Sequence, residues 1–244
     1  MHLFRAILLP LCLVCCMTMV TGGCQNNQAD DYIHTENPEY LVLLNKTHPS
    51  GSAYCPPDLT KLDSDMTLYG KEIELRLYAA KAAEAMVKEL HAQGYTDIVV
   101  TSGYRSYSYQ QSLFNTYLSQ EAAAHPTWTE QQVRDYVLTY SAAPGTSEHH
   151  TGNAIDLIST NHVSLDETFA QNPAYEWLQN NAHRFGFILR YPPNTQHITG
   201  IKHESWHFRY VGRYHATRMH ELDMCLEEYT EYLNEMGYEF DLAE

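Results

Sequence analysis

Positive charge is scarce in this chain. Its 15 Lys and Arg face 30 Asp and Glu, a formal net charge of −15 at pH 7. No basic run interrupts that excess, so a polyanion would be repelled and nucleic acid is excluded as a partner. A zwitterionic or cationic peptide remains compatible. Internal repeats, a P-loop, a dinucleotide-binding glycine fingerprint and a CxxC motif are also missing. Cysteine is sparse beyond the N-terminal segment: Cys12, Cys15, Cys16 and Cys24 fall within it, which leaves Cys55 and Cys225. Outside the cytoplasm such a pair either forms a disulfide or stays as two thiols. Both outcomes remain open.

What is present suits one domain of about 200 residues with an export segment in front. Of the 244 residues, 44% are hydrophobic and 12% aromatic, enough for a real core. Arg5 precedes an apolar stretch from Ala6 to Val20, too short for a comfortable spanning helix of about 20 residues. Thr21-Gly22-Gly23 before Cys24 resembles a bacterial lipobox, with Thr21 where Leu is usual. The expectation is an extracytoplasmic protein anchored through a lipid on Cys24, with cleaved secretion or an uncleaved anchor as the alternatives. No other membrane contact is expected, and a monomer is. Residues 1–24 are thus read as the signal, 25–60 as tether and irregular lead-in, and 61–244 as the folded domain.

Within the domain, the pattern predicts helices over Ile73–Gln93, Ser108–Ala124, Thr129–Ala142 (capped by Thr129 before Gln132), Ala174–Arg184 and Tyr214–Met236. Strands are expected at Asp97–Ser102, Asn153–Ile158, Phe187–Tyr191 and Trp206–Val211. The mixture lacks a regular βαβ rhythm and points to an α+β fold, a small mainly antiparallel sheet flanked by helices.

Chemistry concentrates in three segments: Ser102-Gly103-Tyr104-Arg105-Ser106, Ser147 to Asp156, and Glu204 to His207. His149 and Asp156, joined by a turn and a strand, offer two ligands of a metal site. Catalytic zinc takes three protein ligands and keeps a position open. His207 offers the third ligand, and Glu204 a general base for a metal-activated water. Residues 203–207 also match H-E-x-x-H, which in zincins lies on a helix with both His as ligands. Trp206, Phe208, Tyr210 and Val211 favour a strand instead. His149 and Asp156 make the better partner set for His207. Ser147 has no evident base, which argues against a serine nucleophile. His150 is expected to point elsewhere, His183 to cap or pack, and His197, His203, His215 and His220 to lie at the surface or behind the site. Tyr104, Tyr107 and Tyr191 fit either cleft walls or packing.

The pattern Ser147, His149, Gly152, Ala154, Asp156, followed by Glu204, Trp206 and His207, resembles the VanY-type D-alanyl-D-alanine carboxypeptidases of the M15 zinc peptidases. The SGYRS segment with Gln110, FGFILRYP (Phe185 to Pro192) and WHFRYVG (Trp206 to Gly212) extend the likeness over about Tyr69 to Gly212. The resemblance implies the α+β fold shared by D,D-peptidases and hedgehog signalling domains. It implies one Zn²⁺ per chain on His149, Asp156 and His207. Glu204 would act as base and then as proton donor to the leaving amine. Arg105 would hold the substrate's carboxylate or the developing oxyanion, Ser147 and Gln110 would line the substrate site, and Trp206 would shape its wall. The implied substrate is a peptidoglycan stem peptide losing its C-terminal D-alanine. An L,D-carboxypeptidase or a dipeptidase on the same site is the nearest alternative. A zinc-stabilised binding module without turnover is the other, and an intact Glu204 argues against it.

Overall fold

The computed structural model describes residues 38–238. The export segment, Cys24 and the polar run from Gln25 to Asp31 lie outside the described residues. The lead-in is irregular, as its Pro, Asn, Ser and Gly imply. Its apolar stretch Tyr40–Leu44 is nevertheless buried against the domain.

Two short antiparallel strands, β1 (Leu59–Lys61) and β2 (Glu74–Arg76), precede the long helix α1 (Leu77–Ala92). The helical pattern from Ile73 therefore begins too early. Glu74, Leu75 and Arg76 pair with Lys61, Thr60 and Leu59, and the Arg76 N–H donates to Gly152 O at 2.9 Å. These partners outweigh a helix propensity worth only a few tenths of a kcal/mol per residue.

The main sheet follows the order β3 (Ile98–Ser102), β4 (Ala154–Ser159), β6 (His207–Tyr210), β5 (Phe187–Leu189), antiparallel throughout. Side chains alternate across it. Ile155, Leu157, Phe187 and Phe208 join the buried cluster with Ala83, Met86, Val87 and Leu90 of α1. Asp156, His207 and Arg209 occupy the intervening positions, so they share the opposite face. A register shift between Val100 and Ser102 ends the regular pairing of β3 just before the segment that carries Arg105. Bulges of this kind re-aim side chains beside functional sites.

Helices α2 (Tyr107–Ala124) and α3 (Glu130–Val137) pack on one another beyond β3. Thr129 caps α3 in a reciprocal box with Gln132. Helix α4 (Pro173–Asn181) covers the α1 side, and α5 (Gln196–Thr199) is a single turn before β6. The tail forms two helices, α6 (Arg213–Leu222) and α7 (Leu226–Glu235), rather than one. The chain turns at Asp223, φ 53°, and both helices bury apolar faces with Leu41, Leu43 and Ile188 in a second cluster. Cys55 and Cys225 are both free thiols, the first exposed and the second buried, so no disulfide joins them. Among the described residues no helix is long and apolar enough to cross a membrane.

His215, expected at the surface or behind the site, is a core residue of α6, 1% exposed, its Nδ1 3.0 Å from the Tyr229 hydroxyl. Burial pushes its pKa down to about 4. An unfolded His titrates near 6.5. Stability is therefore unaffected above that pH and is lost as pH falls toward 4, by up to ~3 kcal/mol. In thermal unfolding, the drop in Tm between pH 6.5 and 4 is expected to be smaller for His215→Asn than for wild type.

Candidate active site

The sheet register builds the centre of the site. Asp156 of β4 lies directly opposite His207 of β6, and opposed residues of an antiparallel pair project from the same face. His207 Nδ1 is 2.9 Å from Asp156 Oδ1. His149 comes from the short 3-10 turn Glu148–Thr151 that leads into β4. That turn closes on Gly152 at φ 67°, where a Cβ would meet Leu59 and the Arg76 side chain at 3.0 and 3.1 Å. A glycine is thus what lets the motif turn back into the strand. The candidate ligand atoms of His149, Asp156 and His207 all lie within 4.8 Å of one another, and all three residues are buried.

The His149 ring is fixed from behind, its Nδ1 2.7 Å from Gly103 O. With Nδ1–H donating there, Nε2 keeps its lone pair for the site. Gly103 itself cannot carry a side chain, because a Cβ would lie 2.6 Å from Glu74 O.

Arg105 follows two residues later. Its N–H donates to His149 O at 3.1 Å, and the ring of His150 lies with Nδ1 2.6 Å from Arg105 O. His150 Nε2 accepts the Gly145 N–H at 3.1 Å, so His150 points away from the candidate ligand atoms and braces this loop. The Arg105 guanidinium donates to Asp156 Oδ2 at 2.8 Å, to Gln110 Oε1 at 3.2 Å and to Ser102 Oγ at 3.1 Å. Its Nη2 also lies 2.8 Å from His149 Nε2. Gln110 is 1% exposed and its Nε2 is spent on Ala142 O at 2.8 Å. It therefore stands behind Arg105 rather than in the cleft wall.

Glu204, in the loop before β6, places Oε2 3.9 Å from His207 Nδ1. Burial raises its carboxyl to about 7, with Asp156 adding to that and His207 and Arg105 opposing it. His149 is held down to about 4 by burial and by Arg105. Burial opposes the charged form of His207, yet the Asp156 carboxylate 2.9 Å from Nδ1 and the Glu148 carboxylate 3.6 Å from Nε2 raise it to about 9. Asp156 stays well below the usual carboxylate range against its burial, chiefly through His149.

These groups meet in a cleft of about 450 Å³. Tyr109, Leu113 and Tyr117, spaced one helical turn apart on α2, form one wall. Ser147, Trp206, Tyr140 and Lys71 line the rest. Tyr191 lies beside His207, ring centroids 5.1 Å apart and planes 29° apart. His203 turns elsewhere, Nδ1 2.8 Å from Tyr191 O and Nε2 3.3 Å from the Tyr175 hydroxyl. Residues 203–206 are not helical, so the H-E-x-x-H spacing is coincidental. His183 stacks on His220 at 4.0 Å, remote from the cleft lining.

Sequence reasoning passed over Glu148. Its side chain is fully buried between Arg190 Nε at 2.7 Å and Arg209 Nη1 at 2.9 Å, and Arg190 continues to Glu227 of α7 at 2.7 Å. The two guanidinium groups hold its carboxyl far below the usual range, overcoming burial. A signal was available. Arg190 and Arg209 interrupt otherwise apolar strand segments, and a buried Arg requires a buried carboxylate.

A small α+β domain with a buried His–Asp–His group, a buried carboxylate of raised pKa beside it and an Arg bonded to the group belongs with the metal-dependent hydrolases. The family model "D-alanyl-D-alanine carboxypeptidase" (VanY) matches residues 72–213. The chain belongs to that family, zinc hydrolases of the M15 type. It is 36% identical over 201 residues to the "Putative carboxypeptidase YodJ" of Bacillus subtilis strain 168, covering 80% of this chain and 69% of that one. Among solved structures, the LdcB LD-carboxypeptidase superposes with TM-score 0.68 at 36% identity, covering 80% of this chain and 88% of that one. A mutant of the vancomycin-resistance D,D-pentapeptidase VanY, in complex with Zn(II), superposes with TM-score 0.66 at 32% identity, covering 79% and 99%.

Proposed function

We propose that this chain removes the C-terminal D-alanine from peptidoglycan stem peptides outside the cytoplasm, with one zinc ion held by His149, Asp156 and His207. The observation that carries the reading is the convergence of those three ligand atoms within 4.8 Å, at the floor of a cleft that also holds Glu204 and Arg105. Two nitrogens and a carboxylate oxygen suit zinc. The fixed Nε2 lone pair of His149 fits the same purpose. Bound zinc would supply Lewis acidity and bring a water's pKa to near 7.

The chain's own groups do the rest. Glu204 takes the proton of the attacking water and returns it to the leaving amine, a task suited to a carboxyl whose pKa lies near the working pH. Arg105 Nη2 now spends itself on the ligand atoms of Asp156 and His149. With those atoms holding a metal, this donor would be free to meet the terminal carboxylate of the substrate. Gln110 and Ser102 hold the guanidinium plane, and Ser147 and Trp206 border the bound D-residue. Exopeptidases need such a fixed cation, and a guanidinium matches a carboxylate in two parallel bonds.

Arg105→Lys keeps the charge and loses the fork. The expected result is a kcat/KM on a pentapeptide stem lower by about 10–100-fold, the equivalent of one charge-assisted hydrogen bond, with most of the change in KM. Unchanged steady-state kinetics would remove Arg105 from substrate recognition.

A second reading, L,D-carboxypeptidase, is favoured by the 36% identity to LdcB. Mass spectrometry of zinc-loaded protein incubated separately with pentapeptide and tetrapeptide stems decides between them. Loss of one D-alanine from the pentapeptide is the expected result. Cleavage of the tetrapeptide alone moves the specificity to L,D on the same machinery, and cleavage of neither contradicts the carboxypeptidase reading.

A further inference from the structure

Two buried polar atoms face one another beside the candidate metal centre. Glu148 Oε2 and His207 Nε2 each lack a hydrogen-bond partner within 3.5 Å, and they lie 3.6 Å apart. The other oxygen of Glu148 is committed, accepting from Arg190 Nε at 2.7 Å and Arg209 Nη1 at 2.9 Å. Those two donors are anchored in turn. Arg190 forks onto both oxygens of Glu227 at 2.8 and 2.7 Å, and Arg209 Nη2 donates to Tyr40 O at 3.1 Å and Val42 O at 2.7 Å. Glu148 thus has no freedom to turn, and its remaining oxygen is aimed at one edge of His207. The opposite edge, Nδ1, faces Asp156 Oδ1 at 2.9 Å.

A neutral imidazole carries its proton on one nitrogen and a lone pair on the other. A carboxylate oxygen fixed beside Nε2 accepts a proton there and repels a lone pair. We infer that Glu148 is a positioning residue for the metal: it receives the Nε2–H of His207 and so commits Nδ1, with its lone pair, to the centre shared with Asp156 and His149. This inference rests on the zinc reading above.

Glu148→Gln tests it. The amide oxygen must serve Arg190 and Arg209, because a guanidinium cannot accept. The amide NH₂ then faces His207 Nε2 and favours the opposite tautomer, with the proton on Nδ1. Groups that orient a metal-bound His change metal affinity by about 10–100-fold when replaced. In chelator competition with the full chain, wild type is expected to take up one zinc and Glu148→Gln to bind it about 10–100-fold more weakly. Glu227→Gln removes a charge from the same buried cluster but leaves the Glu148 oxygen in place, so its zinc affinity should stay within about threefold of wild type. In ¹⁵N-histidine-labelled, zinc-loaded wild type, the His207 Nε2 proton should be visible and protected from exchange. That readout does not depend on the variants folding.

A Glu148→Gln affinity equal to wild type overturns the inference. So does an equal weakening by Glu227→Gln, which would mark a general loss of stability. A His207 proton found on Nδ1 in the zinc-loaded protein overturns it as well. Failure of wild type to bind zinc at all would instead remove the metal reading on which the inference stands.

Discussion

Replacing Glu204 by alanine is expected to lower kcat by about 10²–10⁴-fold, the usual contribution of a positioned general base, with zinc uptake unchanged. Glu204 lies outside the His149, Asp156, His207 group, so the metal should remain while proton transfer fails. KM should change little, because Arg105 and the cleft walls are untouched. Burial raises the Glu204 carboxyl to about 7, and a dication in the same cleft pulls it back down. The base works when deprotonated, so activity should fall as pH drops through a limb at or below 7. That limb should vanish from the residual activity of Glu204→Ala. Zinc affinity and D-alanine release measured on the same preparation check both halves. A variant that keeps its zinc and its turnover would remove Glu204 from the chemistry.

Asp156→Asn should have the largest effect. The carboxylate is the hub of the site, 2.9 Å from His207 Nδ1, 2.8 Å from Arg105 Nη2 and 3.3 Å from His149 Nε2. Outer partners of metal ligands are worth about 10–100-fold in affinity, so a ligand itself should cost at least ~100-fold. Activity at sub-micromolar zinc should then disappear. Stability should fall too, because removing one member of a buried charged cluster leaves the others uncompensated, at a cost of about 3–5 kcal/mol. Chelator competition on protein shown to be folded by circular dichroism separates the two effects. Wild-type zinc affinity in this variant would place the ligand elsewhere.

How much of this was legible beforehand follows from how each feature is encoded. The candidate ligand set was readable because two members sit in one turn–strand motif and the third in a short strand of its own. What the sequence could not supply was their meeting. Asp156 and His207 are brought together by antiparallel register, a contact across 51 positions. Helix starts with a capping signal were placed to within a residue, as with Thr129 and Gln132, but that helix ends at Val137 rather than at Ala142. Strands of three residues were harder. Glu74–Arg76 consists of good helix formers, and only its pairing with β1 makes it extended. The break at Asp223 was hidden because the apolar spacing continues on both sides of it. His215 was misplaced because its burial comes from the packing of α6 against α7. Gln110, expected to line the substrate site, stands one layer further back, where its Oε1 accepts from Arg105. Glu148 was obscured by the His beside it, although Arg190 and Arg209 in apolar strands called for a buried carboxylate.

The most direct test is a zinc titration of metal-stripped protein, with D-alanine release from a pentapeptide stem followed at each addition. Release should be absent at the start, rise in proportion to added zinc and level off at one equivalent per chain. Turnover by the stripped protein, or no turnover with one zinc bound, would contradict a zinc-dependent carboxypeptidase centred on His149, Asp156 and His207.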